Sequence, residues 1–254
     1  VCRPLMDAHL RADFIDPAAP LDTYGLVYSP FLPALDESGL RERLYAWIKA
    51  GGTWVAGPLT DIRTIDGAKF PHAPFGSLEE WAGVYCTCEL PGEPRDFAVQ
   101  WADGRTTPGS LWYSGFESRR APVLATYADG PLEGLAAITE TPMGKGRVVM
   151  LGTLPPADEM QRLLVQLAAQ CEIHPVCQAT PNVLAVPREG DTARGMIVME
   201  IEDRPGRCIL PETAGDILGS GEYSGEIDLA PCQVLVLQTE GRTLAHRRGK
   251  RCDV

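Results

Sequence analysis

No stretch of this 254-residue chain is apolar for the roughly 20 residues that a membrane-spanning helix needs. Its opening, VCRPLMDAHLRADF, lacks the apolar core of a secretory signal, so a cytoplasmic setting is expected. Basic residues are outnumbered: 23 Lys and Arg against 34 Asp and Glu give a net charge of −11. A field of that sign repels phosphate backbones and anionic membranes, which argues against both as partners. The glycine-flanked nucleophile turns G-x-C-x-G and G-x-S-x-G do not occur, and Gly109-Ser110 lacks the second glycine. Neither the phosphate loop G-x-x-x-x-G-K-[ST] nor a G-x-G-x-x-G after a strand is present, so no nucleotide cofactor is expected; Gly144-Lys145-Gly146 reads as a hairpin turn. Histidine is scarce, and His9, His72, His174 and His246 share no metal-binding helical spacing. The eight cysteines, at 2, 86, 88, 171, 177, 208, 232 and 252, make neither C-x-x-C pairs nor a disulfide framework. Free thiols are therefore expected, with Cys86 and Cys88 on one face of a strand. No catalytic, cofactor-binding or metal residue is assigned.

What is present begins with Thr23–Pro58, TYGLVYSPFLPALDESGLRERLYAWIKAGGTWVAGP, which reads as a strand–helix–strand crossover. Leu26–Ser29 is the first strand, and Asp36, Glu37 and Ser38 offer a helix cap. Leu40, Leu44, Trp47 and Ile48 share a face, Gly51-Gly52 ends the helix and Thr53–Ala56 is the next strand. Upstream, Pro4–Ala12 has helical spacing and precedes a short strand at Asp13–Asp16. A doubly wound domain ordinarily opens on a central strand, so the chain is expected to be the C-terminal portion of a longer protein.

The Pro- and Gly-rich stretch Gly57–Gly76 reads as a long loop, followed by the capping box Ser77-Leu78-Glu79-Glu80 of a short helix through Trp81. Strands are predicted at Val84–Leu90, Asp96–Trp101, Pro122–Tyr127, Leu135–Glu140 and Arg147–Leu151, and an amphipathic helix at Asp158–Gln170. From Val176 short β runs recur at Val183–Val186, Met196–Ile201, Arg207–Leu210, Glu226–Leu229 and Gln233–Leu237, the pattern of a small antiparallel β-sandwich. The tail from Arg242 to Val254, with Arg247, Arg248, Lys250 and Arg251, reads as solvated.

Three segments carry a family resemblance: DFIDPAAPLDTYGLVYSPFL at 13–32, KAGGTWV at 49–55, and ATYADGPLEGLAAITETPMGKGRVVMLGT at 125–153. Residues 10–155 resemble the middle domain of the bacterial barrel-type β-galactosidases of glycoside hydrolase family 42. In these a catalytic barrel is followed by a trimerisation domain and a small β domain. The resemblance implies an α/β, flavodoxin-like or amidotransferase-like doubly wound domain at 1–172, a β domain at 173–241 and a basic tail at 242–254. It also implies a homotrimer and a catalytic barrel upstream that holds both catalytic glutamates, so no glutamate of this chain is assigned.

Two other classes stay open from the residues. One is an amidotransferase-like enzyme using Cys86 or Cys88 as nucleophile, which requires a histidine and an acid converging on the thiol. The other is a carbohydrate-binding module built on Trp101, Trp112, Tyr113 and Phe116, which equally suit a subunit interface together with Arg119-Arg120.

Overall fold

The structure is a computed structural model, and it describes residues 3–35, 37–71, 76–92, 96–190, 193–239 and 251–253. Asp36, His72, Cys2 and the tail residues 242–250, on which expectations were placed, lie outside the described residues, as does His246. The chain divides into two compact units, one spanning Asp13–Leu163 and the other built from Cys2–Ala12 and Leu164–Arg251, with Cys252–Val254 returning to the first.

The N-terminal elements are α1 (Arg3–Asp7), shorter than the helix expected to reach Ala12, and β1 (Ala12–Asp13). The crossover forms as β2 (Tyr24–Ser29), α2 (Leu40–Ala50) and β3 (Thr53–Ala56), with β2 and β3 parallel and Val27 opposite Trp54. Both strands are almost wholly buried, as expected of strands covered on both faces. Leu40, Leu44 and Ile48 recur every four residues on the buried stripe of α2. Trp47 is only half-buried; its indole N–H donates to the Tyr24 carbonyl at 3.0 Å. Its ring lies over Gly52, where a Cβ would sit 2.3 Å from the ring. The residue at the helix cap is Gly39, one beyond the last of the expected caps, Ser38. Ser38 and Gly39 both adopt positive φ, and the Arg41 N–H goes to the Leu35 carbonyl. Its end is as expected, with Gly51 at φ 130 and its N–H returned to Ile48.

Beyond the crossover come α3 (Leu78–Ala82), β4 (Val84–Pro91), β5 (Ala98–Trp101), β6 (Thr106–Pro108), β7 (Trp112–Ser118), β8 (Val123–Tyr127), β9 (Ala136–Met143) and β10 (Gly146–Leu151). The doubly wound expectation fails here. Such a fold needs a helical crossover between each pair of parallel strands, and the five-residue α3 is the one α-helix described between β3 and β10. The strands instead meander: β4 pairs β7, β5 pairs β6 and β8, and β8 and β10 flank β9, all antiparallel. Only β2–β3 and β3–β10 are parallel among the described pairings. The result is a curled, 11-stranded mixed sheet of order β1-β19-β2-β3-β10-β9-β8-β5-β6, with the β4–β7 ribbon joined through β7 to β9; β19 is Arg251–Asp253. Of the described residues 40% are in strands and 18% in helices, a β-rich fold and not a flavodoxin-like or amidotransferase-like one.

The Gly144-Lys145-Gly146 reading as a turn holds: Gly144 has φ 65, and Met143 faces Gly146 across the β9–β10 hairpin. A Cβ on Gly146 would meet the Gly52 carbonyl at 2.1 Å, so the hairpin packs its backbone directly against the end of the crossover.

After α4 (Ala157–Gln170) the second unit carries β11 (Gln178–Ala179), β12 (Val183–Glu189), β13 (Arg194–Glu200), β14 (Gly206–Ile209), β15 (Ala214–Asp216), β16 (Glu222–Tyr223), β17 (Glu226–Leu229) and β18 (Val234–Thr239). They form a three-stranded sheet, β11-β14-β17, and a five-stranded one, β12-β13-β18-β15-β16. One core, including Val183, Val198, Cys208, Leu229 and Leu235, gathers side chains from both sheets. A buried carboxylate braces this unit. Glu200 accepts hydrogen bonds from the Cys232 N–H at 2.8 Å, the Asn182 amide at 2.9 Å and the Glu202 N–H at 2.8 Å.

Candidate functional site

The residues offered as chemistry in the sequence turn inward. Cys86 is buried and donates its thiol to the Cys88 carbonyl at 3.6 Å. Burial, reinforced by the nearby Glu89 and Glu79 carboxylates, pushes the Cys86 thiol up to about 12. That is the reverse of what a nucleophilic thiolate requires. Cys86 faces Phe116 and Cys88 faces Gly115, so a register shift lets the two cysteines oppose successive partners. The expectation that they share a face is therefore corrected, because a bulge breaks the two-residue alternation. The backbone N–H of Cys86 is held by Glu79, whose carboxyl is raised chiefly by burial. This is a structural anchor for the start of β4, in place of the capping box expected at Ser77-Leu78-Glu79-Glu80.

The four aromatics are not a platform. Trp101 is buried, donates its indole N–H to Thr107 Oγ1 at 2.9 Å and lies beneath the Arg105 guanidinium, whose carbon is 5.3 Å from the ring centre. Arg105 also pairs with Glu159 at the start of α4. Tyr113 is fully buried, its hydroxyl donating to the Gly109 carbonyl at 2.6 Å, and it packs edge-on against Phe97 and Tyr127. Phe116 belongs to the core, and Trp112 is half-buried. Residues 112–118, where no strand was predicted, form the strand β7; the aromatic-rich run WYSGF, of residue types enriched in strands, was the signal that could have shown it. Ser110 is likewise engaged, donating to the Leu154 carbonyl at 3.0 Å. His9 is buried with Nε2 2.9 Å from the Ala179 carbonyl, whereas His174 is exposed. No cluster of three or more His, Cys, Asp or Glu suited to a metal occurs among the described residues.

The surface feature that stands out lies at the C-terminal ends of the parallel strands β2 and β3, where the chain enters the loops at 30–35 and 57–71. A groove of about 170 Å³ is lined by Ile15, Leu21, Phe31, Leu32, Leu40 and Leu44, among others. Phe31 at its rim is 57% exposed, Ile65 on the second loop 57% and Phe14 just before Ile15 74%. The two loops are stitched together, with the Asp61 N–H on the Leu32 carbonyl at 2.9 Å and the Arg63 N–H on Pro33 at 2.8 Å.

What holds them is a buried ion pair. Asp61 is fully buried at φ 56, a backbone state that only further contacts make tenable. Arg41 of α2 grips both of its oxygens, at 2.7 and 2.9 Å, and reaches Ser77 Oγ at 2.7 Å. Asp61 also accepts the Leu78 N–H at 3.2 Å, so it caps α3, the role the sequence had offered to Ser77. Sequence reasoning missed Asp61 because nothing in TDIRT marks a carboxylate as buried. Arg43 meanwhile donates to the Pro17 and Ala19 carbonyls and fixes the opposite wall of the groove. The arrangement is a mostly apolar groove, with Asp16, Tyr28 and Ser29 also in its lining, beside the exposed Phe31, and it is suited to covering by another surface.

The chain is 30% identical over 244 residues to the β-galactosidase YesZ of Bacillus subtilis, covering 94% of this chain and 36% of that protein. It is 26% identical over 239 residues to the β-galactosidase BgaB of a Geobacillus species, covering 93% and 35%. Among solved structures, the β-galactosidase of Bacillus circulans sp. alkalophilus superimposes with a TM-score of 0.87 at 19% identity, over 92% of this chain and 36% of that one. That of Rahnella sp. R3 gives 0.82 at 21%, over 93% and 36%. The present fold is thus the β-rich one found in these enzymes, and the chain spans about a third of the length of the curated relatives it matches. Residues 2–174 match the family model of the β-galactosidase trimerisation domain, and the chain belongs to that family.

Proposed function

We propose that this chain is the non-catalytic assembly region of a cytoplasmic β-galactosidase-like glycoside hydrolase. Its trimer contact is built on the apolar rim around Phe31 and Ile65, and its parent cleaves terminal β-galactosides with carboxylates of a barrel outside this chain. The observation that carries the reading is the match of residues 2–174 to the trimerisation-domain model. The rim at the ends of β2 and β3 supports the placement, since exposed aromatic and aliphatic anchors around a groove are what a specific interface buries. This moves the contact away from the Trp101–Arg120 region, whose aromatics are largely spent on internal packing, to the loops after β2 and β3. A closed cyclic ring follows if each copy presents the rim to a different patch of its neighbour. An amidotransferase reading finds no support in a thiol pushed up to about 12, nor a carbohydrate platform in buried rings.

The test is a pair of assays. The 254-residue chain should leave a chromogenic β-galactoside uncleaved while the full-length enzyme cleaves it, and Phe31→Asp with Ile65→Asp in the full-length enzyme should lower its mass in solution. Turnover by the chain that is abolished by substituting one of its own Asp or Glu residues would overturn the non-catalytic reading. Unchanged assembly of the double variant would overturn the placement.

A further inference from the structure

The β-sandwich of the second unit is open at one end. On its five-stranded sheet Ala185, Val198 and Leu235 stand in register and are buried in the core between the sheets. Two residues further along each strand, on the same face, Pro187, Met196 and Leu237 form the next row, and Glu189, Arg194 and Thr239 the one after. These two outer rows are the floor and the mouth of a groove of about 310 Å³. Its other wall is Val176, just before β11, with Leu210 and Pro211, which follow β14. Arg11 completes that wall. The segment bearing it is tied down because the Val176 N–H donates to the His9 carbonyl at 2.9 Å and His9 Nε2 lies 2.9 Å from the Ala179 carbonyl. All of these residues belong to the second unit.

We propose that this groove is a binding site for a small aliphatic carboxylate, with the hydrocarbon chain on the Met196 and Leu237 floor and the headgroup at the arginines of the mouth. The volume is enough, since cavities that hold small molecules begin at about 300 Å³ and are mostly apolar with a few placed polar groups. The floor selects the body of the ligand. No aromatic side chain lines the groove, so a sugar or base ring has no face to stack on, whereas a flexible hydrocarbon packs well against Met196, Leu210 and Leu237. Charge selects the head. Arg11, Arg188 and Arg194 line the groove with Glu189 and Glu212, and Arg194 cancels Glu189 in an ion pair of 2.9 Å. Arg188 donates to the Pro187 carbonyl at a long 3.4 Å, and no ion pair of Arg11, Arg188 or Glu212 occurs among the described residues. Two cations against one anion leave a single positive charge, in a chain whose net charge is −11. That matches a monocarboxylate, whose two oxygens fit the planar fork of a guanidinium. A phosphate dianion would exceed it and meet the repulsion of Glu212.

The experiment titrates sodium octanoate into the 254-residue chain, read by calorimetry and by NMR of isotope-labelled methionine methyls, with the Met196 signal identified by its loss in Met196→Leu. The expected result is saturable binding of one octanoate per chain that shifts the half-buried Met196 methyl and leaves that of Met160, buried on α4, in place. Arg11→Gln with Arg188→Gln should weaken binding at least about tenfold, the loss of a charge-assisted hydrogen bond, at an unchanged urea midpoint. The Met196 shift in the unaltered chain decides the site even where the double variant fails to fold. Octanol should bind more weakly than octanoate, and so should octyl phosphate. Heat that never saturates, or saturable binding with the Met196 methyl unmoved, overturns the proposal. Octanol binding as tightly as octanoate, or octyl phosphate more tightly, overturns the carboxylate. A mass that rises with protein concentration and falls when octanoate is added would show that a second copy fills the groove, which overturns the occupant.

Discussion

Two carboxylates carry more of this structure than any nucleophile does. Asp61 holds the loop after β3 through Arg41, and removing one partner of a buried pair costs about 3–5 kcal/mol because the other charge is left in the interior. Arg41→Ala should therefore destabilise the first unit by about that amount, read from the urea midpoint, and a loss under about 1 kcal/mol would mean that the loop has another anchor. Glu200 is the counterpart in the second unit. Burial by itself raises a carboxyl, but the Cys232 N–H, the Asn182 amide and the Glu202 N–H outweigh it and hold Glu200 at about 2, against an ordinary value of 4.5. A carboxyl whose folded value is depressed stabilises fully above its unfolded value, and that contribution disappears as pH falls through the folded one. Between about pH 4.5 and 2 the native protein should lose stability more steeply than Glu200→Gln; parallel curves for the two would remove Glu200 from the account. Neither residue was legible in the sequence, because 34 acids offer no local sign of which are buried. A carboxylate becomes a hub through partners distant in the chain, as Asp61 does with Arg41, 20 residues away.

At the scale of elements, local signals were read well where local physics decides the outcome. The crossover β2–α2–β3, the glycine-ended α2, the β9–β10 hairpin and α4 all lie within a few residues of where periodicity and turn chemistry put them. Their assembly was misread because one crossover was extended into a whole doubly wound sheet, although the strands from Val84 to Leu151 are separated by turns too short to carry parallel partners. The strand β7 was hidden because Ser114 and Gly115 interrupt its aromatics; at Gly115 a Cβ would meet Leu135 at 2.6 Å. The junction of crossover and hairpin gives a direct test. Gly146→Ala places a methyl against the Gly52 backbone carbonyl, which cannot swing aside as a side chain can, and overpacking of this kind costs about 1–3 kcal/mol. Trp47→Ala should cost less than the 3–5 kcal/mol of a fully buried large aromatic, since the ring is half-exposed over Gly52. If Gly146→Ala proved neutral in thermal unfolding, the close approach of hairpin and crossover would be wrong.

For the whole molecule, the proposal is that a β-rich first unit of the trimerisation-domain family uses its mostly apolar groove for assembly. Specific interfaces bury at least about 1,000 Å² in total, so the exposed Phe31 and its groove are expected to be the centre of a larger contact whose border is polar. The −11 charge of this region makes copies repel one another, and salt that screens this repulsion should leave association intact or strengthen it. The most direct measurement is the mass in solution, by multi-angle light scattering at micromolar concentration, of the full-length enzyme that carries this region. The account predicts three chains per particle, and a strictly monomeric mass would contradict it.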